Sequence, residues 1–190
     1  VERSRGLGDV YKRQPTYIDN LDLRFENFGE NNQMFAVSAF YKNFKDPIEL
    51  SYFESARENF QPRNLGNATV YGAEIETRKN ISEYFSINVN ASIIESKQNY
   101  GEAENTLRTL GLRSGETLSG SRELQGQSPY LINASIDYKD DGTRAGLYFN
   151  MQGKTLEVVG NGISPDIYTY PFESLNSVSY THLTLPTIYS

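Results

Sequence analysis

Tyr84-Phe85-Ser86-Ile87-Asn88-Val89-Asn90-Ala91-Ser92-Ile93-Ile94 decides the fold class. Phe85, Ile87, Val89, Ala91 and Ile93 alternate with Ser86, Asn88, Asn90 and Ser92. Successive side chains of an extended strand point to opposite faces, so this segment has one oily face and one wet face. A brief turn at 79–83 joins it to an earlier strand over Thr69–Arg78, where Tyr71, Ala73, Ile75 and Thr77 oppose Gly72, Glu74, Glu76 and Arg78. Further back, Leu21, Leu23 and Phe25 oppose Asp22, Arg24 and Glu26 in a strand over Asn20–Phe28. The polar turn 29–32 leads into Gln33–Phe44, where Phe35, Val37, Ala39 and Tyr41 share a face opposite Ala36, Ser38, Phe40 and Lys42. Asp46-Pro47 then interrupts the ladder, since proline cannot donate to it.

The same pattern runs forward. Tyr130, Ile132, Ala134, Ile136 and Tyr138 oppose Leu131, Asn133, Ser135 and Asp137 over Tyr130–Tyr138. The turn 139–143 contains Asp141-Gly142, a hairpin dipeptide, and leads into Arg144–Gly153. There Ala145, Leu147, Phe149 and Met151 oppose Gly146, Tyr148, Asn150 and Gln152, and a seventh strand begins near Phe172. Short turns alternate with long connections at 45–68, 95–128 and 154–170. A soluble antiparallel sheet also alternates apolar and polar residues, but has no reason to keep every second connection long. A transmembrane β-barrel does, because its turns are brief on one side of the membrane and long on the other. Several segments approach the roughly 9–11 residues that a tilted strand needs to cross a bilayer. Within the longest connection, the spacing of Ala103, Leu107 and Leu110 predicts a short helix over Ala103–Leu110. The fold class expected is therefore all-β, an antiparallel meander of six to seven strands from an incomplete barrel.

The two ends read differently. Asp9-Val10-Tyr11-Lys12-Arg13-Gln14 can be encoded by a DNA element whose reverse complement, shifted by one base, encodes Val-Ser-Tyr-Thr-His. That pentapeptide stands at Val178-Ser179-Tyr180-Thr181-His182. Both stretches resemble translated transposase adapters, so residues 1–14 and 178–190 are read as foreign and 15–177 as the native segment. Setting the ends aside leaves 14 basic and 22 acidic residues, a net charge of −8. A basic face is the footprint of nucleic-acid binding, and this balance disfavours it. The chain has no cysteine, and its one histidine, His182, lies in the suspect tail. Soft-metal sites and the usual nucleophile–base pairs need those residues. No apolar run long enough for a transmembrane helix occurs, and a mean hydropathy of −0.58 is compatible with strands that turn only alternate residues to lipid.

Several segments together resemble late barrel strands of TonB-dependent outer-membrane receptors of the Bacteroidetes type. They are Tyr17-Ile18-Asp19-Asn20-Leu21-Asp22-Leu23-Arg24-Phe25-Glu26, the run from Phe35 to Glu49, and Tyr71-Gly72-Ala73-Glu74-Ile75-Glu76. Gln125-Gly126-Gln127-Ser128-Pro129-Tyr130-Leu131-Ile132-Asn133-Ala134 is similar to a segment that opens a later strand in that family. Val159-Gly160-Asn161-Gly162, with Pro165-Asp166-Ile167-Tyr168 after it, is similar to a loop near the family's C-terminus. The resemblance spans nearly all of 15–177. It implies a barrel of about 22 strands in the Gram-negative outer membrane, filled by a plug domain. It also implies active uptake of a bulky solute (an iron chelate, a cobalamin-like molecule or a glycan), energised by the TonB complex. The implied partners are outer-membrane lipid, TonB, the plug and a surface lipoprotein. The alternatives are a passive porin-like barrel and a soluble β-sandwich carbohydrate-binding module.

The residues give little chemistry of their own. No catalytic, cofactor or metal site is expected. Asp22, Arg24, Glu26, Glu74, Glu76, Arg78, Asn88, Asn90, Asn133, Asp137 and Asn150 fall on the polar faces and are expected to line a lumen. The pair Glu74 and Glu76 lacks any partner motif for acid–base work. Gly160-Asn161-Gly162 lacks the strand–loop–helix context of a phosphate cradle and reads as a turn. Of the sequons at Asn67, Asn80, Asn90 and Asn133, two sit mid-strand and read as chance. Loops on a rigid scaffold tend to carry recognition, which nominates Tyr52, Phe53, Phe60, Tyr100, Arg108, Arg113 and Arg122 as solute contacts.

Overall fold

The computed structural model describes residues 13–53, 56–162 and 164–181, with backbone alone at 53 and 56–59. Its strands are β1 (Tyr17–Phe28), β2 (Met34–Lys45), β3 (Ile48–Phe53), β4 (Ala56–Asn64), β5 (Ala68–Asn80) and β6 (Phe85–Asn99), followed by helix α1 (Glu102–Leu110). Then come β7 (Ser121–Arg122), β8 (Tyr130–Lys139), β9 (Thr143–Gln152), β10 (Thr155–Val158), β11 (Ile167–Thr169) and β12 (Phe172–Thr181). The main sheet runs β1-β2-β5-β6-β8-β9-β12, each pair antiparallel, with β7 added to the far end of β6. It is an open meander. The long strands have 10 to 15 residues, sufficient to cross a bilayer at a tilt.

Register places the alternating faces together across the sheet. Ile75 pairs with Ala91, Ala91 with Ile132, and Ile132 with Met151. One row further on, Thr77, Val89, Ala134, Phe149 and Leu175 stand side by side. A one-residue slip would move every one of these side chains to the other face, so the hydrophobic pattern specifies the register. Nothing covers this face among the described residues. Leu21, Leu23, Phe25 and Ile93 are 71%, 76%, 59% and 69% exposed, and Ile87, Val89, Ile132, Ile136 and Phe149 are half-buried or exposed.

The short turns are built by local chemistry. At 140–143 the Asp140 carboxylate accepts the Gly142 and Thr143 N–H groups at 2.9 and 2.6 Å, and the Asp140 N–H donates to the Thr143 carbonyl. At 29–33, Asn31 and Asn32 carry positive φ, a conformation asparagine tolerates. Glycines in the strands serve packing. A Cβ on Gly72 would meet the Phe40 ring at 2.8 Å, and one on Gly146 would meet the Tyr148 ring. Both aromatic rings therefore lie over bare backbone on the polar face.

Two expectations change in detail. The connections 45–68 and 154–170 contain their own hairpins, β3–β4 and β10–β11. These strands are short, and in Ile48-Glu49-Leu50-Ser51-Tyr52 the alternation is inverted, with polar Glu49 and Ser51 buried and Ile48 45% exposed. The polar face is also not polar throughout. Where it meets the long connections, Phe40, Phe44, Val70 and Ile94 cluster with Ala68 under Leu124.

The last strand has a feature of its own. Leu175 pairs with Phe149 on the apolar face, but Ser177 and Ser179 follow it there, opposite Leu147 and Ala145. Val178 and Tyr180 stand on the polar face, opposite Gly146 and Arg144. Before Leu175 the same holds, with Phe172 on the polar face opposite Gln152 and Glu173 on the apolar face opposite Met151, so Leu175 is the one large apolar residue of β12 that faces with the apolar rows.

Candidate functional site

Asp22, Arg24, Glu26, Glu74, Glu76, Arg78, Asn88, Asn90, Asn133, Asp137 and Asn150 all lie on the polar face of the sheet, in adjoining register rows. They form a hydrogen-bonded surface. Arg24 bonds Glu26 along its own strand and reaches across β2 to Glu76 at 3.1 Å. Arg78 donates to Asn88 at 3.2 Å, Asn88 donates to Ser135 and Asp137, and the Tyr148 hydroxyl donates to Asp137 at 2.7 Å. Asn90, Asn133 and Asn150 stand directly opposite one another on β6, β8 and β9. With Glu76, Arg78 and Asn88 they line a shallow concavity of about 220 Å³. These charges are exposed, so their pairing contributes orientation more than stability.

The three long connections fold together at one end of the sheet. The first and third share a small core of Leu65, Leu156 and Val159, with Tyr168 packed against it. Backbone joins them as well, since Ser51 bridges Val159, and the Val159 N–H donates to the Leu50 carbonyl at 3.0 Å. Gln98 on β6 donates to the Leu65 carbonyl at 2.7 Å.

Around this core lies a chain of buried ion pairs. The Arg122 guanidinium on β7 grips Glu49 of β3 through two parallel bonds of 2.8 Å, and its Nε donates to Glu104 of α1 at 3.0 Å. Arg108, one turn along α1, donates from Nε to the same Glu104 oxygen at 2.9 Å. Its other two nitrogens hold Asp166, of the third connection, at 3.1 and 2.7 Å. Asp166 also accepts the Gly160 N–H at 2.7 Å, and Glu49 accepts the Gln125 N–H at 2.9 Å. The side chains of Arg122 and Glu49 are each 3% exposed. Burial by itself would raise the Asp166 carboxyl, but Arg108 and the Gly160 N–H outweigh it and hold it below the ordinary carboxylate range. Burial likewise disfavours the charge on Arg122, and the carboxylates of Glu49 and Glu104 more than reverse that. The Tyr168 hydroxyl is pushed up to about 12, first by burial and then by the charges of Asp166 and Glu123.

This geometry sorts the loop residues. Arg108 and Arg122 are turned inward to carboxylates, not outward to solvent. Tyr100 lies against the Arg108 guanidinium at 4.8 Å. Tyr52 and Phe60 meet edge to face across the β3–β4 hairpin at 5.0 Å, with Phe60 still 47% exposed. Arg113 lies in the exposed stretch after α1, where its N–H donates to the Glu116 carboxylate. The side chain of Phe53 lies outside the described residues. Glu49, Glu104 and Asp166 were not singled out by sequence. The spacing of Glu104 and Arg108 is a legible helical pair, whereas the joins to Glu49 and Asp166 span 73 and 58 positions. No group of His, Cys, Asp and Glu among the described residues is arranged to hold a metal ion.

The family model described as TonB dependent receptor-like, beta-barrel, matches residues 6–185. Solved structures share the fold, three of which follow. The copper transporter OprC aligns with a TM-score of 0.63 at 16% identity, over 92% of this chain and 24% of OprC. The ferric yersiniabactin uptake receptor FyuA from Yersinia pestis aligns at 0.59 and 15% identity, over 86% of this chain and 22% of FyuA. A mutant of the ferric enterobactin receptor PfeA from Pseudomonas aeruginosa aligns at 0.54 and 13% identity, over 89% of this chain and 24% of PfeA. The chain thus spans less than a quarter of the length of each. No curated protein matches it.

Proposed function

Since this chain belongs to the TonB dependent receptor-like β-barrel family, we propose that it is part of the wall and outer loops of an active transporter in the Gram-negative outer membrane. The complete barrel, of about 22 strands, takes up a bulky solute, namely an iron chelate, a cobalamin-like molecule or a glycan. A plug domain fills its lumen and the TonB complex supplies the energy; a surface lipoprotein is a further partner. The observation that carries this reading is the open apolar face backing a charged and amide-rich face. Lipid is the partner that such a face requires, and a lumen is the setting that its reverse requires. The polar row from Asp22 to Asn150 then faces the lumen, and the loop cap stands outside the cell. The deciding experiment places the full-length receptor in a host with and without TonB. Retention in the outer-membrane fraction with TonB-dependent uptake supports the proposal. Uptake indifferent to TonB would mark a passive barrel, and recovery in the soluble fraction would mark a β-sandwich module.

Residues 1–14 and 178–190 are, on the same reading, foreign to the receptor. What supports it is the single inverted DNA element that can encode both 9–14 and 178–182. Resequencing the genomic locus with adapter-free long reads is expected to replace both stretches; recovering them intact would refute this.

A further inference from the structure

Three charges interrupt the apolar rows of the sheet. Glu95 on β6 stands in the row of Leu21, Tyr41 and Tyr71. Lys79 on β5 stands in the row of Ile87, Ile136 and Leu147. Glu173 on β12 stands in the row of Ile75, Ala91, Ile132 and Met151. All three are exposed. Glu95 and Glu173 lie toward the cap on their strands, and Lys79 lies toward the short turns.

The unbroken apolar run has a limit on each strand, and the limits shift from strand to strand. Toward the cap it ends at Leu21, Tyr41 and Tyr71 in one row, and at Ile93 and Tyr130 one row lower. It ends a further row lower at Met151, and another row lower at Leu175. Toward the short turns it ends at Phe25 on β1, one row further down at Phe35 and Thr77, and two rows beyond those at Phe85, Tyr138 and Ala145. On β12 only the cap-side limit is read, because that strand runs into 178–190. Each limit descends three rows, or six residues, over six strand spacings on the cap side and five on the turn side. At roughly 3.3 Å per residue and 4.8 Å per spacing, the apolar band is inclined about 35–40° to the rows. Strands of transmembrane barrels tilt by about 35–45° from the membrane normal, which inclines a bilayer to the rows by the same angle. All three interrupting charges fall outside the slanted band.

The rings point the same way. Tyr41, Tyr71 and Tyr130 stand on the cap-side limit, and Phe35, Phe85 and Tyr138 on the turn-side limit. The Tyr71 hydroxyl is hydrogen-bonded to Glu95, and the Tyr138 hydroxyl donates to Asp140 at 2.6 Å. Both partners lie beyond the band, so each tyrosine keeps its ring in it and its hydroxyl at its edge, as aromatic side chains do at headgroup level.

We infer that the bilayer crosses this sheet obliquely, with its outer headgroup level at Tyr41, Tyr71, Tyr130 and Met151 and its inner level at Phe35, Phe85 and Tyr138. The inference rests on the assignment of this face to lipid made above, and adds to it the depth of each residue.

Single spin labels on the full-length receptor in a phosphatidylcholine bilayer test it. The ratio of their accessibilities to oxygen and to a water-soluble nickel chelate reads depth. Row-mates 25, 91, 132 and 151 should lie at successively outer depths, with 25 and 151 about 15 Å apart. Labels at 41, 130 and 151, from three different rows, should share one depth, and labels at 79, 95 and 173 should reach water. Row-mates at a single depth would overturn the slant while leaving lipid contact, and with it the transport reading, in place. Labels that meet no hydrocarbon in any row would overturn both.

Discussion

Arg122 is the residue on which the loop cap most depends. Its guanidinium satisfies two carboxylates that come from different connections, and it is nearly inaccessible to water. Replacing it with methionine keeps the volume but leaves Glu49 charged and unpaired in a dry place. Loss of one partner from a buried pair costs about 3–5 kcal/mol. Arg122→Met in the full-length receptor is therefore expected to speed amide exchange throughout 48–52 and 102–110, with β8 and β9 unchanged. Exchange unchanged from the parent across the cap would show that the pair is dispensable. Asp166 gives the pH dependence. Its folded pKa lies below the ordinary value, so its contribution is complete above the ordinary carboxylate range and is lost as pH falls through the lowered folded value. Protection of the Gly160 N–H, taken relative to its intrinsic exchange rate, should fall in acid and be constant between pH 6 and 8, roughly two units or more above that range. In Asp166→Asn the acid-dependent loss of protection should be absent.

At the scale of elements, the long strands were legible because each keeps a strict period of two, as in Phe85 to Ile93, and the turns because asparagine, aspartate and glycine mark them. The helix was legible from Ala103, Leu107 and Leu110. The hairpins in the long connections were not. Glu49 and Ser51 are polar yet 3% exposed, because partners from distant segments bury them, and no local period records that. Phe40 and Phe44 stood on a face read as wet for the same reason: Leu124 covers them from a loop 80 or more positions away. The polar rows were placed together by register, but the inward turn of Arg108 and Arg122 could not be read before their carboxylates were known. Facing also yields a paired prediction on β6. Val89→Lys, four residues in from the turn that opens β6, sets a charge against lipid and is expected to destabilise the membrane-embedded receptor by about 2–4 kcal/mol near mid-depth. Asn90→Lys, one residue on, turns the other way and should lower stability by no more than about 1 kcal/mol. Denaturant unfolding from lipid vesicles measures both, and equal losses would contradict the assignment of faces.

For the whole molecule, the sheet supplies a wall and the connections supply a cap with a core of its own. Removing 95–128 takes away α1, β7, Leu124 and both arginines at once. The deletion is expected to abolish solute binding by the parent receptor while its barrel still reaches the outer membrane; unchanged binding would remove the cap from the recognition surface. The central claim is that one face of this sheet meets hydrocarbon and the other does not. Spin labels placed singly at positions 85 to 93 of the full-length receptor in a bilayer test it most directly. The account predicts an accessibility to dissolved oxygen that peaks at 85, 87, 89, 91 and 93 and falls at the positions between them. Oxygen accessibility without that period of two, or low at the odd positions, would contradict it.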